Sequence, residues 1–145
     1  MSPVPHPIEF LSKAVLALDL VLWLFRLPIV LRTHTLPTLL QRLARSERLK
    51  TKMPLRDAVG IVTRISNLGP FHSRIFPKRC LRQSLTLYRT LSQMGYPVEI
   101  HFGIHKDGEV LKGHSWVTIQ GKPIAERAAI EIFTSVYSYP QQLPL

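Results

Sequence analysis

Cys80 is the single cysteine of this chain, and a histidine follows it in the sequence Gly113-His114-Ser115-Trp116. A lone cysteine can form neither an internal disulfide nor a multi-thiolate metal site, so its thiol is either a small buried hydrophobic group or a nucleophile. A nucleophilic thiol needs a neighbouring base, and histidine is the commonest one. His114 is therefore the candidate base, and a buried structural thiol is the alternative for Cys80.

The residues around Cys80 favour its reactive form. A helix is predicted to begin at Cys80 and to end at Gly95, because apolar residues recur between them at helical spacing. These are Leu81, Leu85, Tyr88 and Leu91. A helix N-terminus carries partial positive charge, and the basic residues Lys78, Arg79 and Arg82 add full charges nearby. Both effects favour the thiolate, which is the form of cysteine that attacks.

Composition and charge indicate a basic protein of one domain. The chain has 145 residues, 46% of them hydrophobic, which suits one domain with its own core. One cysteine argues against a disulfide-stapled secreted module and is typical of the reducing cytoplasm. The net charge of +10 comes wholly from residues 1–100. The segment from Arg26 to Arg56 contains eight basic residues and a single acidic one, Glu47. Such a patch attracts an acidic peptide, a membrane surface or nucleic acid. No nucleic-acid-binding signature accompanies it, so nucleic acid is not expected.

Residues 14–31 are strongly apolar. Asp19 and Arg26 interrupt them, and the uncharged stretch between is much shorter than the ~20 residues of a membrane-spanning helix. No small-residue cleavage site follows, so a signal peptide is not expected. One helical stripe stands out, formed by Leu11, Val15, Leu18, Leu22 and Phe25. We expect this helix to pack against the rest of the domain, with a partner protein or the membrane interface as the alternatives.

Helices are predicted to fill the first half of the chain. Pro28 and Pro37 are expected to end the first helix and to allow a second one over residues 38–49. Pro54 suits the first position of a third helix, which residues 67–70 (Asn-Leu-Gly-Pro) should end. A loop then leads to Cys80.

Strands are predicted after Gly95, where the apolar period changes from 3.6 to 2. Val98, Ile100, Phe102 and Ile104 alternate with other residues, and Asp107-Gly108 is a good hairpin turn. A second strand should run over about residues 109–118, and Gly121 marks another turn. N-terminal helices followed by an antiparallel sheet predict an α+β fold.

Glu126 is a candidate third member of the site. If Ile119-Gln120-Gly121 is a three-residue hairpin loop, His114 lies directly opposite Glu126, and a carboxylate there could accept the imidazole N–H. A two-residue loop would instead place Ser115 opposite Glu126 and put the acid on the other face. The first register predicts a nucleophile, a base and an orienting carboxylate.

A metal site is a competing interpretation. His101 and His105 share one strand face, and a two-residue turn at Asp107-Gly108 would place His101 opposite His114. With Cys80 these side chains could bind zinc. Histidines on a half-exposed strand usually face solvent, so no metal and no cofactor is expected.

The chain resembles the transglutaminase-like leader peptidases of lasso-peptide biosynthesis over roughly residues 58–137. The resemblance lies in residues 80–85 (Cys-Leu-Arg-Gln-Ser-Leu), the break at Gly95-Tyr96-Pro97, the strand ending in Gly103, and residues 114–117 (His-Ser-Trp-Val) followed by Gly121. In that family the nucleophile begins a helix, the base lies in a His-Ala-Trp-Val segment, and an Asp follows in the next strand. Those features belong to a papain/transglutaminase-like cysteine protease core.

The resemblance implies that Cys80 is the nucleophile, His114 the base and Glu126 the orienting acid. Ser115 stands where the family has Ala, and Glu126 is one methylene longer than the family's Asp. The implied reaction is removal of the leader from a ribosomally made precursor peptide. The cut would free an amino group for a separate ATP-dependent macrolactam synthetase.

The resemblance also implies how the chain is organised and what it binds. Residues 1–53 would form an apolar and basic helical region that packs on the core or docks a partner, and residues 54–145 would form the peptidase core. Because no second domain for leader recognition is evident, a separate leader-recognition protein is expected. The chain itself is expected in the cytoplasm, with association with the membrane surface as the alternative. The alternative is a non-catalytic basic module that binds a membrane or a protein and has a structural Cys80.

Overall fold

A computed structural model describes residues 7–45, 53–126 and 129–140 of the chain. Within these ranges four α-helices precede a four-stranded antiparallel sheet with the strand order β3-β2-β1-β4, so the predicted α+β class is confirmed. The elements are α1 (Pro7–Thr33), α2 (Leu36–Arg45), α3 (Leu55–Ser66), α4 (Arg79–Gln93), β1 (Val98–Asp107), β2 (Val110–Ile119), β3 (Lys122–Ile124) and β4 (Thr134–Tyr139). Short 3₁₀ helices lie at Gly69–His72 and Ile130–Ile132.

Helix α4 is the centre of the core. It contacts the other three α-helices on one side and strands β1 and β2 on the other. Its predicted apolar stripe is buried at Leu85, Tyr88 and Leu91, and burial raises the pKa of Tyr88 to about 12. The helix ends as predicted, because Gly95 takes the left-handed conformation (φ +89°) that only glycine adopts without strain.

Helices α2 and α3 lie close to their predicted positions. α2 begins at Leu36, two residues earlier than expected, because Pro37 in its first turn needs no N–H partner. Its predicted end at residue 49 lies outside the described residues, and the predicted domain boundary at residue 53 stays a prediction. α3 begins at Leu55, one residue after the predicted first position at Pro54. It ends at Ser66, as predicted, and buries Val62 in the core.

Pro28 does not end the first helix, contrary to the prediction. α1 continues through it to Thr33, and Pro28 is buried within the helix. Apolar side chains on both sides of Pro28 pack into the core; they include Leu24, Leu27 and the partly buried Leu31. Burial of this continuous face offsets the loss of one helical hydrogen bond at proline.

Helix α1 packs on the domain, but through a different face from the one expected. Its buried residues include Leu16, Leu20, Trp23, Leu24 and Leu27, and it contacts α3 and α4. The stripe that begins at Leu11 faces outward instead, with its members roughly half exposed. Leu11–Thr33 is long and apolar enough to cross a membrane, a test that core helices and N-terminal signal sequences also pass.

The first hairpin differs from the prediction by one residue. Asp107 pairs with Val110, so the turn is Gly108-Glu109 rather than Asp107-Gly108. In this register His101 lies opposite Trp116, and His114 lies opposite Gly103. The predicted turn at Asp107-Gly108 is therefore wrong, and so is the pairing of His101 with His114 on which the metal-site alternative depended.

Candidate active site

Cys80 lies in the first turn of α4, as its sequence context predicts. The helix begins at Arg79 after Lys78, whose carbonyl accepts a hydrogen bond from Arg82 N, and the Cys80 side chain is partly buried. The first four N–H groups of a helix have no partner within it. The Cys80 amide is therefore placed to donate a hydrogen bond to a group bound beside the thiol.

Arg82 holds the loop that leads to Cys80. Its side chain is 2% exposed and donates to the carbonyls of Ser66, Phe71 and Pro77 at 2.6, 2.7 and 3.1 Å. Burial, assisted by the neighbouring Arg79, lowers the pKa of the Arg82 guanidinium from its ordinary value. The sequence predicted a cation near the thiol. The structure adds that this cation also positions the loop.

His114 lies in a stack of aromatic rings. Its imidazole stacks on Phe133 at 5.0 Å and on Trp116 at 5.9 Å between ring centroids, and Trp116 stacks in turn on His101 at 5.4 Å. Gly103 lies beneath them, and a Cβ there would lie 3.0 Å from both Trp116 and Phe133. A glycine at this position lets the rings approach the strand, and the rings fix the plane of the imidazole.

Glu126 contacts His114, although the hairpin register assumed for that contact is wrong. Val117 pairs with Ile124, so the turn has two residues, Gln120 and Gly121, with φ of 52° and 80°. An extended strand would then place Glu126 on the wrong face of the sheet. The strand ends at Ile124, however, and Ala125 takes a left-handed φ of 55°. This turns the chain and brings Glu126 Oε1 to 3.0 Å from His114 Nε2.

This hydrogen bond selects one tautomer of the imidazole. A carboxylate can only accept, so in the neutral imidazole the proton lies on His114 Nε2 and Nδ1 keeps its lone pair. The two side chains are 15% and 12% exposed, which shields the contact from solvent. An imidazole held in this way has Nδ1 available as a proton acceptor.

Cys80, His114 and Glu126 all line one cleft of about 710 Å³. The cleft lies between α3 and α4 on one side and the β2–β3 edge on the other. Its lining also includes Val59, Thr63, Arg64, Asn67, Arg79, Gln83, Ser84, Leu87, residues 115–117 and residues 123–125. Arg64 and Arg79 are exposed and give the cleft a positive rim, which attracts acidic groups.

The thiol and the imidazole reach this cleft from different surfaces. Ser115 faces α4, so by strand alternation His114 projects from the opposite face of the sheet. Strand β3 covers β2 only at residues 117–119, which leaves the edge of β2 beside His114 open to the cleft. No hydrogen bond joins Cys80 to His114 within the described residues. Catalytic hydrogen bonds often form only in the substrate complex.

Two polar contacts join the elements that line the cleft. The hydroxyls of Ser84 on α4 and Ser115 on β2 are 2.8 Å apart and buried. Gln83 Nε2 donates to the carbonyl of Ala125 at 3.2 Å, while its Oε1 accepts from Asn67 Nδ2. These bonds connect the cysteine helix to the strand of His114 and to the segment of Glu126.

The donor set does not suggest a metal. Within residues 7–45, 53–126 and 129–140 no group of three or more His, Cys, Asp or Glu side chains could hold an ion. His101 donates to or accepts from Thr118 Oγ1 at 2.8 Å, and burial lowers the pKa of its imidazole.

Comparison with models of known protein families shows the family of the chain. The family model of the transglutaminase-like superfamily matches residues 15–138, which is most of the sequence. The chain belongs to the transglutaminase-like superfamily. This superfamily includes cysteine peptidases, and its match includes α1 from residue 15 onward as well as the cleft. Comparison with the curated proteins and with the solved structures gave no match.

Several residues of the site were not predicted from the sequence. Trp116 was part of the recognised His114 segment, but its stacking on the imidazole was not foreseen. Phe133 and Gln83 had no distinguishing signal, because their roles depend on contacts between distant segments. Ser115 stands where the family has alanine, and no local pattern signals that its hydroxyl accepts a hydrogen bond from Ser84.

Proposed function

We propose that the protein is a cysteine peptidase in which Cys80 is the nucleophile, His114 the general base and Glu126 the residue that orients the base. The observation that carries this proposal is the His114–Glu126 hydrogen bond in a cleft that Cys80 also lines. Membership of a superfamily that includes cysteine peptidases supports it.

In the proposed reaction Cys80 and His114 act twice, first when the thioester forms and again when water hydrolyses it. His114 Nδ1 takes the thiol proton, and Cys80 Sγ attacks the carbonyl carbon of the scissile peptide bond. The Cys80 N–H donates to the oxyanion that forms. The carbon–nitrogen bond then breaks as the imidazolium returns its proton to the leaving amine. Water, activated by the same imidazole, hydrolyses the thioester and frees the thiol.

The proposed substrate is the leader–core junction of a ribosomally made precursor peptide, cut during lasso-peptide maturation. Support comes from the resemblance over residues 80–85 and 114–117. The new amino terminus of the core would then be joined to a side-chain carboxyl by a macrolactam synthetase. A separate leader-recognition protein would deliver the precursor, and the cationic cleft rim at Arg64 and Arg79 suits acidic residues in it.

Cleavage of the precursor tests the catalytic assignment. Cys80→Ala and His114→Ala should each abolish cleavage, measured by mass spectrometry with the leader-recognition protein present, because nucleophile and base act as a unit. His34→Ala is the matched control: His34 bonds to Arg42 at the α1–α2 turn, away from the cleft, and its loss should leave cleavage unchanged. Cleavage at the wild-type rate by either site variant would refute the assignment.

Alkylation of the thiol separates this proposal from a structural cysteine. Since Cys80 is the single cysteine, iodoacetamide labelling reports on it alone. A nucleophile beside a base should react quickly near neutral pH and more slowly in His114→Ala. A thiol that reacts only after unfolding would instead favour a non-catalytic binding module.

A further inference from the structure

The outward face of α1 is a continuous apolar stripe. Leu11, Val15, Leu18, Leu22, Phe25 and Ile29 recur every three or four residues, and each is between 48% and 65% exposed. At 1.5 Å per residue the stripe is about 27 Å long. Soluble monomers rarely expose contiguous apolar patches beyond a few hundred Å², so a surface of this length indicates an interaction site.

The stripe continues onto the loop that precedes Cys80. The Phe25 ring contacts Phe71 at 5.3 Å and Phe76 at 6.1 Å between centroids. The same loop exposes Ile75, at 68%, and Leu68 lies just before it, at 47%. The apolar surface therefore includes both the stripe on α1 and part of the loop between α3 and α4, which Arg82 holds in place.

Positive charges flank this apolar surface. At 3.6 residues per turn, Arg26 and Arg32 lie about 60° to either side of the centre of the stripe, and both are exposed. The loop adds the exposed cations Arg74 and Lys78. Asp19, the acid among residues 11–33, is neutralised by Arg89, which donates to its two oxygens at 2.8 and 3.1 Å.

We propose that this face of α1 lies in the headgroup region of an anionic membrane, with the stripe inserted and the flanking arginines on lipid phosphates. Exposed apolar side chains can insert among the lipid headgroups while basic residues beside them bind anionic phosphates, and each contribution strengthens binding at the membrane surface. A second copy of the chain is a poor occupant, because its net charge of +10 and its own flanking arginines would repel. The opposite face of α1, with Leu16, Leu20 and Leu24, belongs to the domain core and favours a helix lying in the interface over one that spans the bilayer.

Vesicle co-sedimentation of the full chain tests this proposal independently of peptidase activity. We expect binding at least tenfold stronger to vesicles rich in phosphatidylglycerol than to pure phosphatidylcholine, and weaker binding at high salt because surface charges are screened. Arg26→Gln and Arg32→Gln should each weaken binding to anionic vesicles about fivefold.

The stripe itself is tested by a double substitution with a matched control. Leu18→Gln combined with Leu22→Gln should weaken binding at least tenfold, because these side chains lose the transfer free energy of insertion. Val110→Gln combined with Leu111→Gln removes equally exposed apolar groups from the β1–β2 hairpin and should leave binding unchanged. Circular dichroism should show that both variants retain the fold.

Three results would overturn the proposal. The first is no binding to anionic vesicles, and the second is equal binding to both lipid compositions. The third is a dimer, detected by light scattering without lipid, that the Leu18/Leu22 substitutions dissociate. That last result would assign the stripe to contact between copies of the chain.

Discussion

Replacing Glu126 tests most directly the orienting role that we propose for its carboxylate. Its hydrogen bond to His114 Nε2, at 3.0 Å, is largely shielded from solvent. A hydrogen bond to a charged group contributes about 1.5–3 kcal/mol, and each 1.36 kcal/mol corresponds to a tenfold change in rate. Glu126→Ala should therefore lower kcat/KM by roughly 10- to 100-fold. Total loss is not expected, because a thiolate–imidazolium pair can form with weaker help.

Two conservative substitutions separate charge from geometry. Glu126→Gln keeps an acceptor at the same reach without the charge, so its kcat/KM should lie between those of the wild type and Glu126→Ala. Glu126→Asp keeps the charge on a side chain one methylene shorter, and it should remain active. Both are measured as kcat/KM for precursor cleavage, with Cys80→Ala as the inactive reference.

The stability of each Glu126 variant must be measured beside its activity. Thermal melting should show that Glu126→Ala remains folded, because Glu126 lies outside the strands and the buried core. If folded Glu126→Ala cleaves at the wild-type rate, Glu126 does not orient the base and another acceptor must do so. If it is as inactive as Cys80→Ala, the carboxylate has a larger role than one hydrogen bond.

Two further predictions concern the sheet face that carries His114, the proposed base. Gly103→Ala should reduce cleavage and destabilise the fold by about 1–3 kcal/mol, because its Cβ would lie 3.0 Å from Trp116 and move the ring that stacks on the base. Gly60→Ala, where a Cβ meets nothing within 4 Å, should be neutral or stabilising, and an equal effect of both would contradict this reasoning. Burial lowers the pKa of His101, so the unfolded chain binds its proton more readily. Its contribution to stability should be complete above about pH 6.5 and be lost as pH falls below that value, toward the lowered pKa. Urea unfolding of the wild type and His101→Gln at several pH values checks this, and parallel curves would refute it.

The helices could be predicted from the sequence because their signals are local. Apolar spacing and breaking residues placed α3 and α4 within one or two residues of their ends. Pro28 was the exception, since its effect depended on core contacts of Leu24 and Leu27 that no local pattern reveals. The same limit applies to α1 as a whole. The sequence shows a helix with a broad apolar stripe, but it cannot show which half of that helix the domain covers.

The strand registers could not be predicted with the same accuracy. A shift of one residue in the first turn changed the partner of His114 from His101 to Gly103. Strand β4 follows residues without a periodic signal, and its position is fixed by pairing with β1. Phe133 directly precedes that strand. The candidate nucleophile and the candidate base could be proposed more easily, because residue type and local sequence mark them. Their approach in space depends on how α4 packs on β2.

Ala125 explains how the predicted contact of Glu126 survives an incorrect register. A left-handed conformation costs an L-residue about 1–2 kcal/mol, so nothing in the sequence marks an alanine for it. The cost is offset where neighbouring contacts over-determine the backbone, and here Gln83 donates to the Ala125 carbonyl. Gln83 is one turn from Cys80 on α4. The strained residue is thus tied to the helix that carries the thiol, and its conformation directs the next side chain onto His114. Such strain is characteristic of functional sites, and it links the two halves of the cleft through a single backbone position.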